Sequence, residues 1–194
     1  MPSKIVLASQ SPRRKQLLEW AEIPFDIMAR HTDEQYPPEL PVEEVPGYIA
    51  RSKAQALAQD PSFLHFEKEA TIIAADTVVI LDQTIIGKPA DRTEAISILT
   101  RLSGREHRVI TGVCILKSGR EICFAETTRV TFHALTTSQI EYYVDNYRPY
   151  DKAGAYAIQE WIGVVGIEKI EGDFYNVMGL PVSKVIQQLR LLGL

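Results

Sequence analysis

Thr71-Ile72-Ile73-Ala74-Ala75-Asp76-Thr77-Val78-Val79-Ile80-Leu81 is the strongest strand signal in the chain, an apolar run broken only by Asp76 and Thr77. It reads as a strand in which the carboxylate is the outlier. Asp82-Gln83 follows as a turn, and Thr84 to Ile86 returns as a paired strand that ends in Gly87-Lys88-Pro89. A second hairpin is predicted further on. Strands over residues 108–117 and 121–132 flank a Ser118-Gly119 turn. Two hairpins within an alternation of strands and helices predict a mixed sheet, not a purely parallel one.

The elements around these hairpins fit that frame. Upstream, Ile5-Val6-Leu7-Ala8 reads as a short buried strand, and a helix is predicted over 13–22 with Leu17 and Leu18 on its buried face. A strand over 25–29 and a polar loop over 30–41 precede a helix over 44–59. Its alanines at 50, 54, 56 and 58 predict close packing, and Pro46 suits its first turn. Downstream, Asp91-Arg92-Thr93-Glu94 reads as a capping box for a helix ending at Leu102, before Gly104. A helix over 138–146 follows, then a loop over 151–159 with a short helical turn, then a strand-like segment over 163–170. Pro181 opens a last amphipathic helix to Leu191. The fold class is α/β, a mixed sheet flanked by helices. A chain of 194 residues suits one domain or two small lobes sharing a core.

Composition narrows the function classes. Apolar content of 45% and charged content of 24% are those of an ordinary soluble domain. A net charge of −4 disfavours a broad nucleic-acid surface but leaves room for a local arginine cluster that binds a small anion. No apolar stretch is long enough to span a membrane, and Arg13 and Arg14 interrupt any signal-peptide core. The two cysteines, Cys114 and Cys123, lie in strand-like runs and can face each other across a hairpin. Two thiols do not make a disulfide framework, and buried, reduced cysteines of a cytoplasmic protein are the expectation.

Several residues have the chemistry of a site. Asp76 is costly inside an apolar strand unless it meets a cation, a metal, hydrogen-bond donors or a water-filled cleft. The structural alternative is an aspartate satisfied by backbone N–H groups at a bulge. Ser9-Gln10-Ser11-Pro12-Arg13-Arg14 places two hydroxyls and two guanidiniums where a strand ends and a helix begins. Free N–H groups there attract anions, and arginine forks fit phosphate oxygens. An ordinary capped helix with two solvated arginines is the alternative. Lys88 after Gly87 suits a lysine that reaches a phosphate. Asp33 and Glu34 offer oxygen ligands for a divalent cation. In Asp151-Lys152-Ala153-Gly154-Ala155-Tyr156-Ala157-Ile158-Gln159, the Gln159 amide offers one donor and one acceptor, the complement of a pyrimidine edge.

Other chemistries find no support. His31, His65, His107 and His133 show no metal-ligand spacing. His65-Phe66-Glu67 resembles the start of a deaminase motif, but no Pro-Cys-x-x-Cys follows. His107 reads as a packed, hydrogen-bonded histidine. The P-loop, Rossmann and nucleophile-elbow patterns are absent.

Taken in order, Ala8-Ser9-Gln10-Ser11-Pro12-Arg13-Arg14, Asp33-Glu34, Ala75-Asp76-Thr77-Val78-Val79 and Gly87-Lys88-Pro89 resemble the Maf family of nucleotide pyrophosphatases. So do Ser103-Gly104 with His107, Thr111-Gly112-Val113, Asp151 to Tyr156, Gln159, and Asn176-Val177 with Gly179-Leu180-Pro181. The resemblance covers nearly the whole chain. It implies a cytoplasmic enzyme that cleaves a nucleoside triphosphate to the monophosphate and pyrophosphate with a divalent metal, Mg²⁺ or Mn²⁺. It implies one domain over 1–194 with two lobes and a cleft, resembling the inosine triphosphate pyrophosphatases, and a homodimer with no nucleic-acid or membrane partner. Asp-Lys-Ala-Gly-Ala-Tyr followed by glutamine resembles the branch acting on dTTP and UTP, with modified pyrimidine nucleotides as further substrates. Ala157 stands where many relatives of that branch have glycine. By position, Asp76 matches the general base, and Arg13, Thr77 and Gln159 match substrate-selecting positions. Ser9, Arg14, Lys88 and Glu34 match other active-site positions, with Glu34 and Asp76 expected to place the metal. A nucleotide-binding regulator of septum formation, acting through a protein partner, is the alternative that the resemblance carries.

Overall fold

The computed structural model describes residues 4–30, 32–66 and 70–194, the side chains of 64–66 excepted. His31 and the side chains of the His65-Phe66-Glu67 triplet therefore lie outside the described residues. In chain order the elements are β1 (Ile5–Leu7), α1 (Pro12–Trp20), β2 (Asp26–Ile27), α2 (Val45–Ala58), α3 (Pro61–Phe66), β3 (Thr71–Leu81) and β4 (Thr84–Ile86). Then come α4 (Arg92–Leu102), β5 (Glu106–Lys117), β6 (Arg120–Phe132), α5 (Thr137–Tyr147) and a 3-10 turn (Ala153–Ala155). The chain closes with α6 (Trp161–Gly166), β7 (Ile167–Glu171), α7 (Phe174–Met178) and α8 (Val182–Leu191).

The seven strands form one mixed sheet in the order β2-β1-β3-β5-β6-β7, with β4 paired to β3. β1 runs parallel to β2 and β3, whereas β4 and β7 run antiparallel to β3 and β6. The strand predicted at Thr71–Leu81 is observed with those limits. The chain divides into two compact units. The first holds Met1–Asp76, Thr111–Glu126 and Gly179–Leu194, and the second Thr77–Ile110 and Thr127–Met178.

In the first unit, Ala50, Ala54 and Leu57 of α2 bury their side chains against Val6, Ala8, Ile72, Ala74 and Cys114. The i, i+4, i+7 spacing puts the three on one helical face. The alanines let the helix lie close to the strands, and burying Leu57 contributes about 2 kcal/mol. The approach is tightest at Gly112, where a Cβ would stand 2.3 Å from the backbone of Pro46 and Gly47. Only glycine leaves room there. Leu17 and Leu18 of α1 are buried as expected.

In the second unit, Asp91 caps α4 by accepting the Glu94 N–H at 2.9 Å. The Glu94 carboxylate takes the Ala90 N–H and not that of Asp91, so half of the expected reciprocal box forms. A complete box occurs at Thr136 and Gln139, ahead of α5. The strand expected over 163–170 is instead helix α6 followed by β7. The β-branched residues Ile162, Val164 and Val165 favour a strand. Local bonds override them: Gly163 and Val164 donate their N–H groups to the Glu160 carbonyl. Gly163 also packs so close to the Ile158 carbonyl that a Cβ would meet it at 1.7 Å. The short helices α3 and α7 had no counterpart in the sequence reading.

Candidate active site

Asp76 lies on β3 and is 9% exposed. Strand alternation puts it on the same face as Ile72 and Ala74, the face that α2 covers. Lys53 of α2 reaches it there, with Nζ donating to Asp76 Oδ1 at 2.7 Å and to Glu34 Oε1 at 2.6 Å. One ammonium thus holds two carboxylates, Asp76 deep and Glu34 half exposed. Burial pushes the Asp76 carboxyl above its usual pKa, while Lys53 and Arg14 pull it back down. Lys53 is absent from the residues that the sequence singled out. Its signal was there: it sits at i+3 from Ala50 in the stripe that continues through Ala54 and Leu57, where a lysine is out of place.

The turn from β1 into α1 supplies the arginines. Ser11 takes the N-cap position with extended backbone, yet its side chain makes no capping bond. Its N–H donates instead to Ser9 Oγ at 3.2 Å. Arg14 turns back over the same hydroxyl. Its Nη1 donates to Ser9 Oγ at 3.2 Å and its Nε to the Gly179 carbonyl at 2.8 Å. The two-solvated-arginine picture therefore does not hold for Arg14. Burial pushes the Arg14 guanidinium below its usual pKa, and Asp76 pulls it back. Arg13 is half-buried beside it. In the first unit, then, Ser9, Arg14, Glu34 and Asp76 share one charged neighbourhood completed by Lys53.

The remaining candidates belong to the second unit. Thr77 is half-buried and, as the next residue on β3, points to the strand face opposite Asp76. Lys88 is exposed just beyond β4. The Gly87 carbonyl accepts the Gly154 N–H at 3.1 Å, which ties the Lys88 loop to the loop over 151–159. Gln159 is exposed at the end of that loop, and its neighbours are held firmly. The Ala157 N–H donates to the buried Tyr143 hydroxyl at 3.1 Å, and that hydroxyl donates to Glu160. Lys152, 8% exposed, lies between Asp151 at 2.8 Å and Glu160 at 3.5 Å. Ala157 is buried and is not among the residues with positive φ, so alanine fits there without backbone strain.

The carboxylates suit a hard divalent cation. Glu34 and Asp76 already converge on one cationic group, and carboxylate oxygen is the ligand that Mg²⁺ and Mn²⁺ prefer. Among the described residues no third carboxylate, imidazole or thiol completes a ligand group with them. Mg²⁺ is usually held by one or two carboxylates, with substrate phosphates and water completing its shell.

Several sequence motifs turn out to hold the structure together. His107 is buried, its Nε2 2.8 Å from the Tyr156 hydroxyl and its ring stacked on Phe132. Burial pushes its pKa down to about 4, so it is a neutral packed histidine as expected. Asn176 donates to the Val109 carbonyl and to Thr128 Oγ1. Ser103 Oγ accepts the Leu135 N–H at 2.7 Å.

Comparison with known proteins places the chain in a family. A dTTP/UTP pyrophosphatase of Porphyromonas gingivalis strain W83 is 50% identical over 191 residues, 98% of this chain and 94% of the relative. Proteins of the same name from Cytophaga hutchinsonii and Parabacteroides distasonis are 49% and 48% identical, over 96% of this chain in both cases and 83% and 95% of the relatives. The family described as Maf-like protein matches residues 4–192. With the match spanning both units and every element from β1 to α8, this chain belongs to the Maf family.

Proposed function

We propose that this chain is a nucleoside triphosphate pyrophosphatase that hydrolyses dTTP and UTP to the monophosphate and pyrophosphate. Relatives at about half identity, matched over nearly the whole chain, carry that name. In the molecule, the observation that carries the reading is Asp76: a carboxylate whose pKa burial raises, in contact with Lys53 and in the field of Arg14.

Asp76 is the general base that accepts a proton from the attacking water. Lys53 and Arg14 favour its ionised form against the cost of burial. Arg13, Arg14 and Lys88 bind the triphosphate and offset the charge that develops on the leaving pyrophosphate. Ser9 orients Arg14, since its hydroxyl accepts from that guanidinium. Glu34 and Asp76 would hold Mg²⁺ or Mn²⁺, which when bound neutralises phosphate charge. Gln159 accepts from the N3–H of uracil or thymine and donates to a flanking carbonyl, with Thr77 and Arg13 contributing to selection. Cytosine presents the reversed pattern, and a site with a fixed amide leaves polar groups unpaired against it. A cytoplasmic homodimer and action on modified pyrimidine nucleotides rest on the family resemblance. The regulator reading is not favoured, because the relatives are named for catalysis and binding alone gives Asp76 no task.

The test is Asp76→Asn. Turnover of UTP should fall at least about 10²-fold, the scale of general-base catalysis, with nucleotide binding retained. Near-normal turnover by the folded variant contradicts the assignment, and an equal loss of binding makes Asp76 a ligand alone.

A further inference from the structure

We propose that Cys114 and Cys123 are a thiol-oxidation site, a cross-strand pair that closes to a reversible disulfide with a low-molecular-weight disulfide as oxidant. β5 ends at Lys117 and β6 begins at Arg120, joined by Ser118 and Gly119 with φ of 46° and 80°. Positive φ at both positions is the type I′ turn, and a two-residue turn fixes the register with Lys117 opposite Arg120. Counting back along one strand and forward along the other sets Cys114 opposite Cys123. Hydrogen-bonded and non-hydrogen-bonded pairs alternate from the turn, so this pair is of the non-hydrogen-bonded kind. Its Cα atoms are then about 4.5 Å apart, inside the span of a disulfide. The thiols already meet, with Sγ–Sγ at 2.7 Å.

Glu121 lies near enough to complete a Cys-Cys-Glu group. Two features favour oxidation over metal binding. The Glu121 carboxylate already accepts from Arg51 Nε at 2.8 Å and from Gln55 Nε2 at 3.2 Å. The sulfurs are also too close, because two thiolates on tetrahedral zinc stand about 3.8 Å apart, given Zn–S bonds of about 2.3 Å.

The order of events follows from exposure. Cys123 is exposed and Cys114 is buried against Ala50, Ala54 and Ala74 of the first unit. The Cys123 thiolate attacks one sulfur of the oxidant RSSR and expels RS⁻, leaving a mixed disulfide. The Cys114 thiolate then attacks Cys123 Sγ and expels the second RS⁻. The protein loses two thiol hydrogens and the oxidant becomes two RSH, so atoms and electrons balance. Burial raises both thiols above their usual pKa. Glu121 adds to the rise and Arg51 opposes it, so exchange quickens as pH climbs through the thiol range.

The experiment uses the reduced full-length protein with excess oxidised glutathione, followed by denaturing alkylation and intact-mass and peptide analysis. The expected product is lighter by two hydrogens, carries no glutathione, resists alkylation and is restored by dithiothreitol. Amide exchange across 114–123 slows in that product. Cys114→Ser should stop at a stable glutathione adduct on Cys123. Stable adducts on the wild type, or two alkylatable thiols after treatment, overturn the proposal. So does one tightly held Zn²⁺ that protects both thiols and is lost in Cys123→Ser, which makes the pair a metal site. The wild-type mass decides between these outcomes even where a variant fails to fold.

Discussion

The two units use polar groups in opposite ways. In the first, unlike charges converge: Lys53 between Asp76 and Glu34, and Arg14 over Ser9 with Asp76 in its field. In the second, apart from Lys152 between Asp151 and Glu160, the buried polar side chains are neutral and shape the chain. His107 meets Tyr156, Asn176 holds Val109 and Thr128, and Tyr143 joins Ala157 to Glu160. Concentrated charge in a poorly solvated place is what proton abstraction and phosphate chemistry require. Buried hydrogen bonds of this kind give a loop one shape, and a base-reading amide needs one shape. On the proposed reading, the general base and the arginines belong to the first unit, and Lys88, Thr77 and Gln159 to the second.

The sharpest way to break the contrast is Lys53→Met. It leaves a buried carboxylate without its nearest cation, at a cost of roughly 3–5 kcal/mol where such a pair is well buried. Because Lys53 lowers the Asp76 pKa, its loss should move the acid limb of the kcat–pH profile upward. An unmoved limb separates Lys53 from the base.

A change at His107 should register in stability and not in the chemical step. His107 has its folded pKa depressed to about 4 from 6.5. Its neutral form therefore stabilises the fold above pH 6.5, and that contribution is lost as pH falls toward 4. The loss is about 3 kcal/mol. Denaturant titrations of the wild type and His107→Gln between pH 7 and 4 should show a shallower decline in the variant. Parallel curves would remove His107 as the cause.

Recognition is tested by Gln159→Ala, which should narrow the UTP-to-CTP ratio of kcat/KM by about tenfold, the scale of one or two hydrogen bonds. Glu160→Gln weakens the ties to Tyr143 and Lys152 and should narrow it less, with kcat for UTP nearly kept. An unchanged ratio in both removes the loop from base reading. The smallest effect expected is at Asp91, where loss of the cap in Asp91→Ala should cost about 1 kcal/mol of stability and leave kinetics alone.

The contrast also explains what the sequence made legible. Asp76 stood out because a carboxylate in an apolar strand breaks a pattern, and β3 was found to the residue because nothing local competes with its β-branched run. Lys53 was hidden because helix α2 was read for its alanines and not for the charge among them. The segment 163–166 differs from the strand expected there because Gly163 donates to the Glu160 carbonyl and packs against that of Ile158, contacts that spacing does not encode. The Tyr143–Glu160 link is invisible for the same reason: its partners lie 17 residues apart, and each looks like an ordinary surface residue.

The most direct measurement is product analysis across a panel of nucleoside triphosphates with Mg²⁺ or Mn²⁺ and a chelator control. The account predicts that dTTP and UTP yield the monophosphate and pyrophosphate fastest, that CTP and the purine triphosphates lag, and that chelation abolishes turnover. A purine preference, or release of orthophosphate with a nucleoside diphosphate, would contradict it.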